Sequence, residues 1–253
     1  MAQLKKGISN IRQSVSNVHW VEQLINGFLD GRDEEIRVGR EFHPSAAGQC
    51  PRLIQFSMLG MITRKFEPRV KRIFDAGHDM HNRYKRYFER MGKLVAEEAP
   101  VRATIEGIKI TGRADLIVKN FMDENRLLEL KTANTRRFEE ILVKNLCNED
   151  HFTQWNIYSG VLKIPIGEIL YENKDNQHMK VFTVRFDQEK FDKVIGMFKV
   201  IDYHLSNGTL VPKPDVCDSK YCPAKELCKK TSVEAKKTKV DLILGKKRSR
   251  KDG

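Results

Sequence analysis

The sequence predicts an α/β fold, a mixed central sheet flanked by helices, and three observations carry that expectation. β-compatible runs near 94 to 104, 107 to 118 and 126 to 131 precede two helical stretches near 136 to 147 and 151 to 162. Strands near 167 to 172 and 179 to 185 follow, and then a helix over 187 to 206. An order in which helices interrupt strands builds a sheet covered by helices. The chain has 253 residues and 40% hydrophobic content, enough for one substantial core.

The elements follow in chain order. Residues 1–44 form an N-terminal helical segment, because Val15, Val18, Val21, Ile25, Phe28 and Leu29 recur at near-helical spacing; that stripe packs on the domain or on a partner, and core packing is the expectation. After Pro44-Ser45, residues Pro51 to Leu59 read as a second helix with Cys50 at its start and Ser45 or a neighbour as its cap. Residues 68 to 91 make a long basic helix, with Arg69, Lys71, Arg72, Arg83, Lys85, Arg86 and Arg90 interleaved with Tyr84, Tyr87 and Phe88. Such a face can line a nucleic-acid groove or simply be solvated. The helix over 187 to 206 carries a core stripe of Phe191, Val194, Ile195, Phe198, Ile201 and Leu205. Residues 231–253 form a basic tail ending Gly245-Lys246-Lys247-Arg248-Ser249-Arg250-Lys251, too charged to fold alone and expected to be flexible. The folded domain is therefore placed at 45–230.

Two strands carry the chemistry. One reads Gly112-Arg113-Ala114-Asp115 and the other Glu129-Leu130-Lys131, with a turn-like Asn120 to Asn125 segment between them, which predicts a hairpin. Side chains alternate along a strand, so Glu129 and Lys131 share one face while Leu128 and Leu130 take the other. Two carboxylates can hold Mg²⁺ or Mn²⁺, both of which prefer oxygen ligands, and leave positions open for water and a phosphate oxygen. Lys131 can orient that water, help deprotonate it, or balance charge on the phosphorane. The plainer reading has Asp115 ending a strand and Glu129 paired with Lys131 or Lys109 at the surface. Glu97 and Glu98 precede a strand and are left outside the site.

With its neighbours this pattern resembles the PD-(D/E)XK nuclease superfamily, specifically RecB-type exonucleases that carry an iron-sulfur cluster, akin to the small CRISPR adaptation nucleases and their phage-encoded relatives. The resemblance covers roughly residues 45 to 230. Phe74-Asp75-Ala76-Gly77-His78-Asp79-Met80-His81 is similar to the family's G-x-x-x-H element, which makes His81, rather than His78, the additional metal ligand. Gln154-Trp155-Asn156-Ile157-Tyr158 is similar to its Q-x-x-x-Y motif, whose spacing puts Gln154 and Tyr158 on one helix face, in support of the site and in reach of DNA. Ile169-Leu170-Tyr171-Glu172-Asn173-Lys174 resembles a stretch seen in many phage-encoded members, with Lys174 directed at the DNA backbone. The resemblance implies that His81, Asp115, Glu129 and the backbone carbonyl of Leu130 hold the metal and that Lys131 assists attack by water.

Cys217, Cys222 and Cys228 cluster near the C-terminus and Cys50 stands far upstream beside Pro51-Arg52. This resembles the family's ligation of a [4Fe-4S] cluster, in which one distant cysteine joins three C-terminal ones and staples the two ends of the domain. Four residues separate Cys217 from Cys222, where the family usually has two. Four thiolates also suit zinc, so the occupant stays open between the two. Disulfides are not expected, and Cys147 reads as a small buried hydrophobe.

The formal net charge of +12 and pI near 9.5 favour a polyanion partner, and DNA is the natural candidate. No apolar run reaches the length of a membrane span, and no export signal is recognised, so a soluble cytoplasmic protein is expected. The function expected is metal-dependent DNA hydrolysis, as an exonuclease at single strands or ends. The alternatives are a structure-specific endonuclease and a cluster-stapled or zinc-stapled DNA-binding adaptor without cleavage. An oligomer is possible, and partners from recombination, replication or CRISPR adaptation fit the resemblance.

Overall fold

The computed structural model describes residues 19–32, 38–62, 65–214, 217 and 222–231. Its elements are helix α1 (Trp20–Asp30), strand β1 (Glu41–Phe42), a 3₁₀ turn (Pro44–Ala46), α2 (Pro51–Met58), α3 (Pro68–Arg90), β2 (Leu94–Ile105), β3 (Ile108–Lys119) and β4 (Asn125–Ala133). There follow α4 (Thr135–Lys144), α5 (Glu149–Leu162), β5 (Ile166–Asn173), β6 (Met179–Arg185), α6 (Gln188–Ser206) and α7 (Lys225–Lys230). The expected strands and helices appear in the expected order, with ends shifted by at most three residues; β1 and α7 are additional, and β1 falls within the stretch 1–44 expected to be helical. The basic tail and Val15 and Val18 of the N-terminal stripe lie outside the described residues.

The chain divides into two compact units. The smaller draws on residues up to 35 and on 64–76, the larger on 36–63 and everything from Gly77 onward. In the smaller unit, Lys71 Nζ donates to the Leu29 and Arg32 carbonyls at 2.7 and 2.8 Å, closing the C-terminal end of α1. Arg32 grips Asp75 with two nitrogens, and Phe66 meets Phe74 edge to face. Packing of the whole α1 stripe on a core is corrected here: only Leu29 is buried, while Trp20, Leu24 and Phe28 stand exposed.

The larger unit is built on the sheet, whose described strands run β1-β3-β4-β5-β6 with β2 against β3. It is mixed: β1 is parallel to β3, β4 is parallel to β5, and the remaining pairs are antiparallel. Local chemistry starts and stops the elements. Glu106 and Gly107 both have positive φ, 47° and 85°, which makes the tight β2–β3 turn whose hand matches the strand twist. Asn120 accepts the N–H groups of Met122 and Glu124 through its side chain and closes the β3–β4 turn. Asn134, Asn148 and Asp187 cap α4, α5 and α6 with side-chain acceptors. At α2 the cap is Cys50 itself, without a side-chain hydrogen bond, followed by Pro51; Ser45 instead lies in the 3₁₀ turn.

Three apolar clusters hold this unit. The largest joins Phe42 and α2 to the predicted α6 stripe, with Phe42 stacked on Phe198 at 4.5 Å. A second packs Trp155 and Tyr158 of α5 against Ile117, Leu127, Ile169 and Tyr171, and Cys147 borders it, half-buried where full burial was expected. A third sets Met80 and Tyr84 of α3 on Leu116, Leu128, Leu130 and Leu170. Leu128 and Leu130 thus face α3 and leave the opposite face of β4 to Glu129 and Lys131.

One topological detail opens the sheet. β2 pairs along the whole of β3, so β1 and β4 share the other edge, at Lys109 and Ile110 and at Leu116 to Lys119 respectively. Among the described strands, Thr111 to Asp115 have no partner on that edge. Side chains border it instead: His43 Nδ1 lies 3.0 Å from the Thr111 carbonyl, and the Tyr158 ring packs against Gly112.

Candidate active site

The fork between β3 and β4 is where the predicted residues meet. Asp115 lies one residue before the last β3–β4 pair, Leu116 with Leu128, and Glu129 one residue after it. Past that pair the strands part, and the N–H of Leu130 is taken by Asp115 Oδ2 at 2.8 Å. His81 of α3 brings Nδ1 to 3.6 Å from Asp115 Oδ1, while His78 is exposed. Lys131 Nζ stands 2.6 Å from Glu129 Oε1 and donates to Gln154 Oε1 at 3.2 Å. Tyr158 stands one helical turn along α5 from Gln154. Asp115, Glu129, Lys131, His81, Leu130, Gln154 and Tyr158 therefore form one contiguous group. Lys174 does not join it. It is exposed, three residues beyond Tyr171, which pairs with Lys131, so it lies about 10 Å further along the sheet.

Glu129 is fully enclosed, with the Lys131 ammonium 2.6 Å from Oε1 as its partner, and among the described residues Oε2 accepts no hydrogen bond. One ammonium leaves most of the acceptor capacity of the carboxylate unused. The electrostatics report the cost. Burial pushes Glu129 up to about 7, and the adjacent Asp115 charge adds to the rise against the pull of Lys131. Burial likewise pushes Asp115 up to about 6, with Lys131 and the Leu130 N–H opposing it and Glu98 adding to it. His81 is held below its usual range by burial, although Glu129 pulls the other way. Burial disfavours the Lys131 ammonium too, but the two carboxylates outweigh it and raise its pKa.

These are donors suited to a hard divalent cation: two carboxylates in one enclosed fork, an imidazole beside them, and unused acceptor capacity. Among the described residues no three His, Cys, Asp or Glu side chains stand close enough together to form a finished metal cage.

Three residues outside the predicted set border the fork. Gly112 has no room for a side chain, since a Cβ there would stand 3.0 Å from Tyr158 Cε1 and 3.1 Å from Pro44 Cδ. His43 supports Thr111 from the other side of the gap. Glu98, left aside on sequence grounds, stands opposite Asp115, because its neighbours Glu97 and Ala99 pair with Leu116 and Ala114. Glu97 instead meets Lys85 of α3 at 2.6 Å. Gly112 sits inside the motif that singled out Asp115, whereas no local pattern marks His43.

The cysteines lie elsewhere in the larger unit. Cys222 and Cys228 are half-buried against the α2–α6 core, Cys50 caps α2, and Cys217 is exposed. Arg52, almost fully buried, donates to the carbonyls of Val211 and Thr231 at 3.2 and 3.0 Å and so ties the start of α2 to the end of α7. The four thiols do not form a metal cage among the described residues, and 218–221, which separate Cys217 from Cys222, lie outside them.

The fold is shared with solved structures, an alkaline exonuclease among them. SSO0001 matches with a TM-score of 0.51 and 16% identity, over 84% of this chain and 95% of that one. LHK-Exo, an alkaline exonuclease from Laribacter hongkongensis, matches with a TM-score of 0.50 and 13% identity, over 73% of this chain and 93% of that one. Its complex with dAMP matches with a TM-score of 0.52 and 14% identity, over 68% and 90%. At these identities the likeness is one of fold, a sheet flanked by helices consistent with a PD-(D/E)XK-like core. No protein-family model matches the chain, and no curated protein does. No helix among the described residues is long and apolar enough to cross a membrane.

Proposed function

We propose that the chain is a metal-dependent DNA exonuclease that hydrolyses phosphodiester bonds at single strands or DNA ends. The observation that carries this reading is the enclosed Glu129 carboxylate, which shares one ammonium, Lys131, with the neighbouring Asp115 in a fork of the sheet. A structural core has little use for two adjacent buried carboxylates balanced by one cation, since each raises the cost of ionising the other. His81, Asp115, Glu129 and the Leu130 carbonyl would hold Mg²⁺ or Mn²⁺, which when bound supplies a water of lowered pKa and offsets charge on the phosphate.

The protein groups divide the remaining work. Asp115 fixes the geometry of the fork through the Leu130 N–H. Gln154 positions Lys131 by accepting from its ammonium, and Tyr158 lies one turn further along the same helix. Lys131 then presents a cation at the edge of the carboxylate pair, where it can orient the attacking water or offset phosphorane charge. The fold shared with an alkaline exonuclease and the +12 net charge support a DNA substrate. The set Cys50, Cys217, Cys222 and Cys228 is assigned a [4Fe-4S] cluster on the sequence resemblance, and the Arg52 bridge between α2 and α7 is compatible with it.

Incubation of the purified protein with end-labelled single-stranded DNA in Mn²⁺, beside Glu129→Ala, tests the reading. Cleavage lost in a folded variant is expected. A wild-type protein that binds the DNA and leaves it intact points instead to a non-cleaving adaptor.

A further inference from the structure

We infer that Arg113 binds a phosphate of the nucleic-acid substrate and that Glu98 holds the guanidinium in place until that phosphate displaces it. The inference deepens the nuclease reading and rests on it. Arg113 and Asp115 are two apart on β3 and project from the same face, about 7 Å apart along the strand. Both lie in the stretch Thr111 to Asp115, where β1 and β4 leave that edge of β3 open.

Exposure grades across this face. The side chain of Glu129 is 0% exposed, Asp115 16% and Arg113 67%, so Arg113 is the cation at the outer rim. The inner cation, Lys131, is committed to Glu129 and Gln154. The backbone at Arg113 is fixed by its pairing with β2 and by the Tyr158 ring packed against the preceding Gly112. A long side chain on a fixed backbone beside two metal-binding carboxylates is placed to receive a phosphate oxygen.

Glu98 supplies the second half of the device. It stands opposite Asp115 on β2 with φ of +40°, a conformation that disfavours a side chain bearing Cβ. Its Oε2 accepts from Arg113 Nη1 at 2.6 Å, with 64% of its own side chain exposed. An exposed pair of this kind adds little stability, so it does not repay the strained backbone. Nη1 engages Glu98, and because the side chain is largely exposed the other donors of the planar fork are accessible to a phosphate, which can take two of them at once. The exchange of a carboxylate for a phosphate on the same guanidinium is close to neutral in charge and needs no movement of either strand.

Binding of a fluorescent single-stranded oligonucleotide, measured by anisotropy in EDTA over a salt series, separates this from a structural ion pair. Arg113→Ala is expected to weaken binding about tenfold and to flatten the dependence of log K on log salt by about 0.7, one phosphate contact on a single strand. Glu98→Gln is expected to tighten binding several-fold, and the double variant to match Arg113→Ala. Glu98→Gly, which accommodates the positive φ, should repeat the Glu98→Gln result in a chain at least as stable. If Arg113→Ala binds as tightly as wild type while wild type degrades DNA in Mn²⁺, the inference falls and the nuclease stands. If both single variants lose melting temperature and neither changes binding, the pair is structural and the inference falls. A wild-type protein with no affinity for DNA overturns both.

Discussion

Asp115 and Leu130 join where the two strands of the hairpin part: Asp115 Oδ2 accepts the Leu130 N–H at 2.8 Å, just past the Leu116–Leu128 pair. The carboxylate replaces a rung of the ladder, so a residue assigned to catalysis also satisfies a backbone donor that the fork leaves over.

The two roles separate by substitution. Asp115→Asn keeps an acceptor oxygen for Leu130 and removes the charge, so it should fold as well as wild type and lose cleavage by at least a hundredfold. Asp115→Ala loses the acceptor as well and should be about 1 kcal/mol less stable than Asp115→Asn. Urea melts and a gel-based cleavage assay read both. Equal stability of the two variants would show that the Leu130 bond contributes nothing.

The pH dependence has a defined sign. Glu129 and Asp115 are raised in the folded chain, to about 7 and about 6, from ordinary values near 4. Stability conferred by the protonated forms is whole below pH 4 and is lost as pH rises through 6 to 7. His151, pushed down to about 4 by burial and then by Lys131, contributes the opposite slope over part of that window. The difference between wild type and Glu129→Gln therefore isolates the carboxylate. Melting temperatures in EDTA should favour Glu129→Gln increasingly from pH 5 to 8, and Mn²⁺ should raise wild type alone. A Glu129→Gln protein that is less stable than wild type at pH 8 in EDTA contradicts the assignment.

Much of this was readable from residue order. Alternation along β4 sends Leu128 and Leu130 to α3 and Glu129 and Lys131 to the site, and the Asn120 turn brings Asp115 opposite Glu129. The fork was not readable, because it depends on two residues of β1 claiming the edge of β3 from a distance of nearly 70 positions. The placement of Glu98 was hidden for a related reason: only the pairing of β2 reveals that it faces Asp115. In α1 the apolar spacing was real but its burial was not, since spacing reports a stripe and says nothing of what covers it.

Three glycines grade the tightness of packing. A Cβ at Gly167 would stand 2.0 Å from the Leu127 carbonyl oxygen across β4 and β5, and backbone cannot yield, so Gly167→Ala should cost about 3 kcal/mol or fail to fold. Gly112→Ala meets the movable Tyr158 ring and should cost about 1 kcal/mol while slowing cleavage, through a Lys131 no longer held by Gln154. Gly196 in α6 has open space, and Gly196→Ala should stabilise by about 0.5–1 kcal/mol. Thermal melts rank the three, and a harmless Gly167→Ala would contradict the β4–β5 register.

The cysteine assignment is tested by colour and by coupling. Anaerobically purified protein should be brown with absorbance near 400 nm if Cys50, Cys217, Cys222 and Cys228 hold iron and sulfide, and colourless with about one zinc per chain if they hold that metal. Cys222 and Cys228 pack on the same core as α2 and α6, and Arg52 ties α2 to Thr231 beyond α7. Loss of a ligand at Cys222 should therefore lower the melting temperature of this end of the larger unit. The fork is built from β3, β4, α3 and α5, so Cys222→Ser should retain cleavage at temperatures where it remains folded. Cys147→Ser, outside the set, should leave the spectrum unchanged. A Cys222→Ser protein with wild-type stability and lost activity would mean that the cluster acts on the reaction itself, because a staple cannot be removed without loosening what it joins.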